Sequence, residues 1–101
     1  MSALYQMMGH CFNEDWYLDY ASPKAAVDGY LERFPTEDIQ QALAELRELL
    51  ARNMTEDELD YHLTHVLHCA YNMAADGLTP SGWLAMVAEQ IENGLKEKLS
   101  V

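Results

Sequence analysis

The amino-acid sequence predicts an all-α fold: a compact single-domain bundle of four main helices preceded by a short N-terminal helix. Apolar residues recur at helical spacing along most of the chain, and helix-start signals precede the apolar stripes. No segment alternates between apolar and polar residues for long enough to be a convincing strand. The 101 residues include only 5 Gly and 3 Pro, which suits one helical domain over residues 1–101 better than a turn-rich β-sandwich.

Two helices and an irregular segment between them are predicted for the first third of the chain. A short helix covers about residues 3–12, weakened by Gly9, and residues 13–21 form an ordered irregular segment rich in aromatic and acidic side chains. Ser22-Pro23 marks the next helix start, because Ser is a good N-cap and Pro is favoured at the first helical position. Pro35 ends this helix. Its apolar face consists of Val27, Tyr30, Leu31 and Phe34.

Three further helices follow. Thr36 is predicted as the N-cap of the first, whose apolar stripe consists of Ile39, Ala42, Leu43, Leu46, Leu49 and Leu50. Thr55 and Glu58 form a capping-box pattern, and the helix after them is expected to end near residues 72–77. Its predicted buried stripe consists of Leu59, Leu63, Val66, Leu67 and Ala70. Thr79-Pro80 starts the last helix, whose inward face consists of Trp83, Leu84, Val87, Ile91 and Leu95.

The charge balance is strongly acidic, with 17 Asp and Glu against 6 Lys and Arg and a net charge of −11. On a folded surface of about 5,800 Å², this amounts to one net negative charge per about 530 Å². Direct binding to nucleic-acid phosphates or to an anionic membrane is therefore disfavoured. A basic partner protein is favoured, although the charge is equally consistent with a role in solubility.

The chain start lacks a basic region followed by an apolar stretch, and no apolar run approaches about 18 residues. The only two cysteines, Cys11 and Cys69, lie far apart in the sequence. These features predict a cytoplasmic protein with reduced thiols and no membrane association.

No metal or other cofactor is predicted. His62, His65, His68 and Cys69 share one predicted helix, but His65 and His68 fall on its solvent side, and only His65 and Cys69 have the i, i+4 spacing of paired ligands. A solvated histidine face with one partly buried thiol is the preferred interpretation. Asp76-Gly77 fails the register of a calcium loop and is predicted to be a turn or a helix C-cap, with a structural role.

No enzyme is predicted either. The sequence has no glycine-rich phosphate loop and no nucleophile elbow. Cys11 follows His10, but the sequence identifies no third group that would orient them. Glu14, Asp15 and Asp19 could form a carboxylate pair for acid–base chemistry, but carboxylates at this spacing are equally common on a solvated helix face.

Two blocks of the sequence resemble one protein family. The first runs from Phe12 to Tyr20 (FNEDWYLDY) and is followed by Ser22-Pro23; the second is residues 75–80 (ADGLTP) with Trp83-Leu84. In this order and spacing they are similar to the small helical CdiI immunity proteins of contact-dependent growth inhibition systems. The resemblance spans roughly residues 4–95. The histidine-rich stretch over residues 60–69 departs from the family pattern.

The resemblance implies a function. A protein of this family binds the C-terminal toxin domain of its cognate CdiA effector in the cytoplasm and protects the producing cell. Many such toxins are nucleases, often RNases, whose substrate-binding surfaces are basic, and a net charge of −11 fits such a partner. We expect a monomer in a 1:1 complex. The alternative is an acidic adaptor, or a nucleic-acid mimic that inhibits another basic protein.

Two acidic clusters are the candidate toxin-binding residues: Glu14, Asp15 and Asp19, and Glu56, Asp57 and Asp60. Glu58 is excluded because the capping box is expected to occupy its side chain. The family blocks are expected to hold the fold, so Trp16 and Trp83 are predicted to be structural.

Overall fold

The computed structural model describes residues 2–99, and within them six α-helices follow one another. These helices are α1 (Ala3–Cys11), α2 (Trp16–Asp19), α3 (Pro23–Arg33), α4 (Thr36–Ala51), α5 (Glu56–Tyr61) and α6 (Pro80–Leu99). A π-helical turn (His62–Val66) continues α5, and a 3-10 turn (Met73–Asp76) precedes α6. No strand occurs in residues 2–99, and the all-α prediction is confirmed. The ends of the predicted 1–101 domain, Met1, Ser100 and Val101, lie outside the described residues.

Local capping signals fix most of the helix starts. The Ser22 hydroxyl accepts a hydrogen bond from the Ala25 amide at 3.1 Å. The capping box is formed in full, since Thr55 Oγ1 accepts from the Glu58 amide and Glu58 Oε1 accepts from the Thr55 amide.

The prediction that Thr36 caps α4 is wrong. Pro35 is the N-cap residue, and Thr36 is already helical. The Pro35 backbone is extended, with φ −61° and ψ 147°, and its carbonyl accepts from the Ile39 amide at 3.1 Å. The helix therefore begins one residue earlier than the Thr signal indicates.

The core lies where α1, α3, α4 and α6 meet. Helix α6 packs against α4 and α3, and α1 packs against the same two helices. Arg47 of α4 also forms an ion pair with Glu92 of α6 at 2.7 Å. The largest side chains that are fully buried between these helices are Tyr30, Phe12, Met7, Met8, Ile39, Leu46 and Leu84.

The helix that begins at Glu56 ends earlier than predicted. Leu67 donates to the His62 carbonyl across the π-helical turn, and Cys69 donates to the Leu63 carbonyl at 2.8 Å. His68, with φ 55°, is the left-handed residue that closes this end. Val66 and Ala70, predicted to be buried, are consequently exposed. The Ala70 amide instead donates to the Phe12 carbonyl at 2.8 Å, which directs the chain towards the end of α1.

Four aromatic rings join the two sequence blocks in space. Phe12 and Trp83 are in edge-to-face contact with ring centroids 5.1 Å apart, and Trp16 contacts Phe12 at 5.7 Å and Tyr71 at 5.6 Å. Trp83 is 3% exposed. The segment predicted to be irregular contains one helical turn, α2, which places Trp16 in this cluster.

None of the helices within residues 2–99 has both the length and the apolar character that a membrane crossing requires.

Candidate functional site

The turn that carries α2 is shaped by Asn13. The Asn13 Nδ2 group donates to the Gly9 carbonyl at 3.1 Å, while its Oδ1 accepts from the Asp15 amide at 2.9 Å. The Trp16 amide then donates to the Asn13 carbonyl at 3.0 Å. These three bonds reverse the chain after α1, so Trp16 packs on the core and the next two residues point outward.

An apolar surface bordered by carboxylates results on α2. Tyr17 is 64% exposed and Leu18 is 70% exposed. Glu14, Asp15 and Asp19 are exposed beside them. We call these five residues the α2 patch. A large apolar side chain inside a polar rim is the usual arrangement of a residue that contributes strongly to a protein interface.

A second surface of the same type lies on α5 and the π-helical turn. The Tyr61 side chain is 62% exposed and stacks on His65 with ring centroids 4.5 Å apart, and Val66 is 46% exposed. Asp57 and Asp60 are exposed on α5. We call these five residues the α5 patch. The sequence pattern of histidines indicated this region, but the outward position of Val66 depends on the π-helical turn, which the α-helical period does not predict.

The structure separates Glu56 from its acidic neighbours. Its carboxylate accepts from the Ser81 amide at 2.9 Å and from the Ser81 hydroxyl at 2.8 Å, and so it caps the start of α6. The hydrogen bond from the Ser81 amide, followed by that from the hydroxyl, lowers the pKa of Glu56. The capping-box bonds from Thr55 lower the pKa of Glu58 in the same way. Of the predicted acids on α5, Asp57 and Asp60 thus remain as carboxylates without a capping role.

The histidine and cysteine residues show no metal-site geometry within residues 2–99: no group of three or more potential ligand side chains converges there. His65 and His68 are exposed, and the His68 ring contacts Tyr5 with centroids 5.9 Å apart. Burial raises the pKa of the Cys69 thiol to about 11 and that of Cys11 to about 12. Both thiols are therefore neutral near pH 7 and are poor metal ligands or nucleophiles.

Asp76 and Gly77 shape the chain before α6. Gly77 follows the 3-10 turn with φ 76°, in the left-handed region that favours glycine. The Asp76 carboxylate accepts a hydrogen bond from the Tyr71 hydroxyl, next to the aromatic cluster. The pKa of Tyr71 is raised to about 12, first by burial and then by this carboxylate.

Comparison with known proteins identifies the family of this chain. A model of the family described as CdiI immunity protein matches residues 1–91. The chain belongs to the CdiI immunity protein family. The resemblance indicated by the two sequence blocks is confirmed, and a CdiI immunity protein is an inhibitor rather than an enzyme.

The fold of this CdiI family member is also similar to a solved structure. A chain of the crystal structure of the CdiA-CT/CdiI complex from Y. kristensenii aligns with a TM-score of 0.83 and 25% sequence identity. The alignment covers 88% of this chain and 95% of that chain. A search of curated protein sequences gives no significant match. The matched residues 1–91 include the α2 patch, the α5 patch and the aromatic cluster that joins the two CdiI blocks.

Proposed function

We propose that this CdiI family member binds the C-terminal toxin domain of its cognate CdiA and neutralises it in the cytoplasm of the producing cell. The observation that carries the proposal is the family match over residues 1–91. It is supported by the similarity in fold to a chain of a CdiA-CT/CdiI complex. Binding, with no chemistry performed by this chain, is the mechanism, and the expected stoichiometry is 1:1.

The surface charge supports a basic toxin, with a nuclease, and especially an RNase, as the favoured class. Four of the six basic side chains form ion pairs within the chain: Lys24 with Asp28, Arg47 and Lys96 with Glu92, and Arg52 with Glu48. Their positive charges are compensated locally, so the excess carboxylates dominate the electrostatic potential around the protein. A nuclease must present a cationic surface to phosphates, and an acidic inhibitor can cover that surface.

The α2 patch and the α5 patch are the surfaces we propose for toxin contact. Each combines exposed large apolar side chains with acids that have no capping role, such as Leu18 beside Asp19 and Tyr61 beside Asp60. The apolar groups supply affinity when they are desolvated, and the carboxylates speed the encounter with a cationic partner. Glu56 is left out of the contact set because it caps α6.

Co-purification with the toxin domain encoded immediately upstream tests the proposal, followed by a growth assay and a nuclease assay with and without this protein. A stable complex that silences the toxin is the expected result. An active toxin that this protein neither binds nor inhibits contradicts the proposal. That outcome would favour an acidic adaptor of another basic protein, whose capture should then show the same strong dependence on salt.

A further inference from the structure

A groove lies between α3 and α6, and none of the residues of the α2 patch or the α5 patch line it. Its volume is about 980 Å³, at the upper end of the range of about 300–1,000 Å³ for small-molecule pockets. The two helices approach closely at one point, where a Cβ atom added to Gly94 would lie 2.6 Å from Leu31 Cδ1. Gln90 bridges them elsewhere, because its Nε2 donates to the Lys24 carbonyl at 3.0 Å and to Asp28 Oδ1 at 2.8 Å. The groove is therefore held by packing and hydrogen bonds on both walls.

The lining combines apolar and charged side chains. Apolar contact is offered by Val27, Leu31, Leu78, Val87 and Met86. Met86 is 56% exposed and has a flexible, unbranched side chain that adapts to different partners. An apolar strip of this kind is expected to be covered by a ligand that brings its own apolar atoms.

Five carboxylates and two ammonium groups line the groove. They belong to Asp28, Glu32, Asp76, Glu89 and Glu97 and to Lys24 and Lys98. The two ammonium groups have partners in the chain, since Lys24 pairs with Asp28 at 3.3 Å and Lys98 donates to the Phe34 carbonyl at 3.3 Å. Glu32 and Glu89 are exposed, one on each helix. The groove therefore complements a cationic, partly apolar chain segment.

We propose that this groove receives a Lys- or Arg-bearing segment of the cognate toxin, an inference that rests on the function proposed above. The aliphatic stem of the basic residue packs against Met86 and Val87, and its charged end lies among the carboxylates of Glu32 and Glu89. Tyr71 lines the groove and contacts Trp16 of the aromatic cluster, so the groove is built against the core element that also orients α2.

Charge reversal tests the groove in the full chain against the full toxin domain. We expect the Glu32→Lys/Glu89→Lys variant to raise the Kd of the complex by at least about thirtyfold. The control is Glu37→Lys/Glu48→Lys, which makes the same change in net charge at exposed sites on α4 outside the groove. It also removes the exposed Glu48–Arg52 ion pair, which contributes little to stability, and its Kd should rise by less than about threefold. Met86→Ala should raise the Kd by about tenfold through lost apolar contact.

A second measurement uses the unmutated protein. In a toxin titration followed by NMR of labelled methionine methyl groups, the Met86 methyl signal should shift, while that of Met8, which is fully buried, should not. A tight, inhibitory complex with an unshifted Met86 methyl and equal Kd values for the two charge variants overturns the groove proposal. Absence of any complex with the unmutated protein contradicts the proposed function instead, so the two failures are distinguishable.

Discussion

The Glu56 carboxylate accepts two hydrogen bonds from Ser81, from its amide at 2.9 Å and from its hydroxyl at 2.8 Å, and thereby ties the start of α5 to the start of α6. Because one carboxylate satisfies an amide that has no partner within its own helix, its removal should destabilise the fold. We expect Glu56→Ala to lower the melting temperature by about 5 °C. Thermal unfolding followed by circular dichroism measures this. Glu89→Ala, at an exposed glutamate on α6, is the matched control, and an equal loss in both variants would show that the cap contributes nothing specific.

The same contact makes stability depend on pH in a defined direction. The pKa of Glu56 is lowered below its ordinary value of 4.5 in the folded chain. A carboxyl with a lowered folded pKa stabilises the fold above its unfolded pKa, and this contribution is lost as the pH falls through the folded pKa. Glu56→Gln imitates the protonated group. We therefore expect the melting temperatures of the variant and the unmutated protein to differ at pH 7 and to converge as the pH falls below 4.5 and through the lowered pKa of folded Glu56. A difference that stays constant over this range contradicts the prediction.

Reversal of the two remaining acids of the α5 patch should slow toxin binding without unfolding the helix. In Asp57→Lys/Asp60→Lys the capping box and the Glu56–Ser81 contact are left in place. We expect the association rate to fall about tenfold at low ionic strength, and the difference to shrink as salt is added. Stopped-flow mixing measures the rate, and far-ultraviolet circular dichroism checks helicity. An association rate equal to that of the unmutated protein at low salt removes this patch from the proposal.

The two apolar residues of the α2 patch should affect affinity and not stability. Tyr17 and Leu18 are 64% and 70% exposed, so their truncation removes little internal packing. We expect Tyr17→Ala/Leu18→Ala to raise the Kd for the toxin by about 10- to 100-fold with a melting temperature within about 2 °C of the unmutated protein. Trp16→Ala should instead lower the melting temperature, because the Trp16 ring packs on Phe12 and Tyr71. Calorimetric titration and thermal melts together distinguish the two outcomes.

Two helical glycines form an internal control for packing. A Cβ atom at Gly94 would lie 2.6 Å from Leu31 Cδ1, whereas one at Gly9 would meet nothing within 4 Å. Gly9→Ala should raise the free energy of unfolding by about 0.5–1 kcal/mol, because alanine restricts the unfolded chain and favours the helix. Gly94→Ala brings the same gain in helix propensity, but Leu31 has to move, so we expect its free energy of unfolding to lie about 1–3 kcal/mol below that of Gly9→Ala. Chemical denaturation measures both, and destabilisation of equal size in the two variants would show that contact with Leu31 is not the cause.

The parts of the fold that local sequence determines were predictable. Ser22 and Thr55 cap their helices through amides three residues away, so a short window contains both partners. The burial predicted for Val66 is wrong because it lies in the π-helical turn, where the α-helical period no longer holds, and that predicted for Ala70 is wrong because the chain leaves the helix where His68 turns left-handed. The bond from Ala70 to the Phe12 carbonyl joins residues far apart in sequence, and no local pattern shows it.

The candidate site was predictable only in part for the same reason. Glu14 and Asp57 were identified as surface acids from charge density, and both are exposed. The role of Glu56 depends on Ser81, which lies 25 residues further along the chain. The outward direction of Leu18 depends on a four-residue helix whose orientation is set by the packing of Trp16. The groove needs two helices, α3 and α6, that only the tertiary structure places side by side.

The two interior cysteines have a practical consequence. Cys11 has no exposed surface and Cys69 is 6% exposed, and burial keeps both thiols protonated. A thiol reagent can reach Cys11 only when the packing around α1 opens, so the rate at which Cys11 is labelled follows the opening of the native chain. The labelling rate of a native cysteine therefore reports opening motions of the unmodified protein. Comparing this rate before and after a partner is added shows how far the partner suppresses those motions.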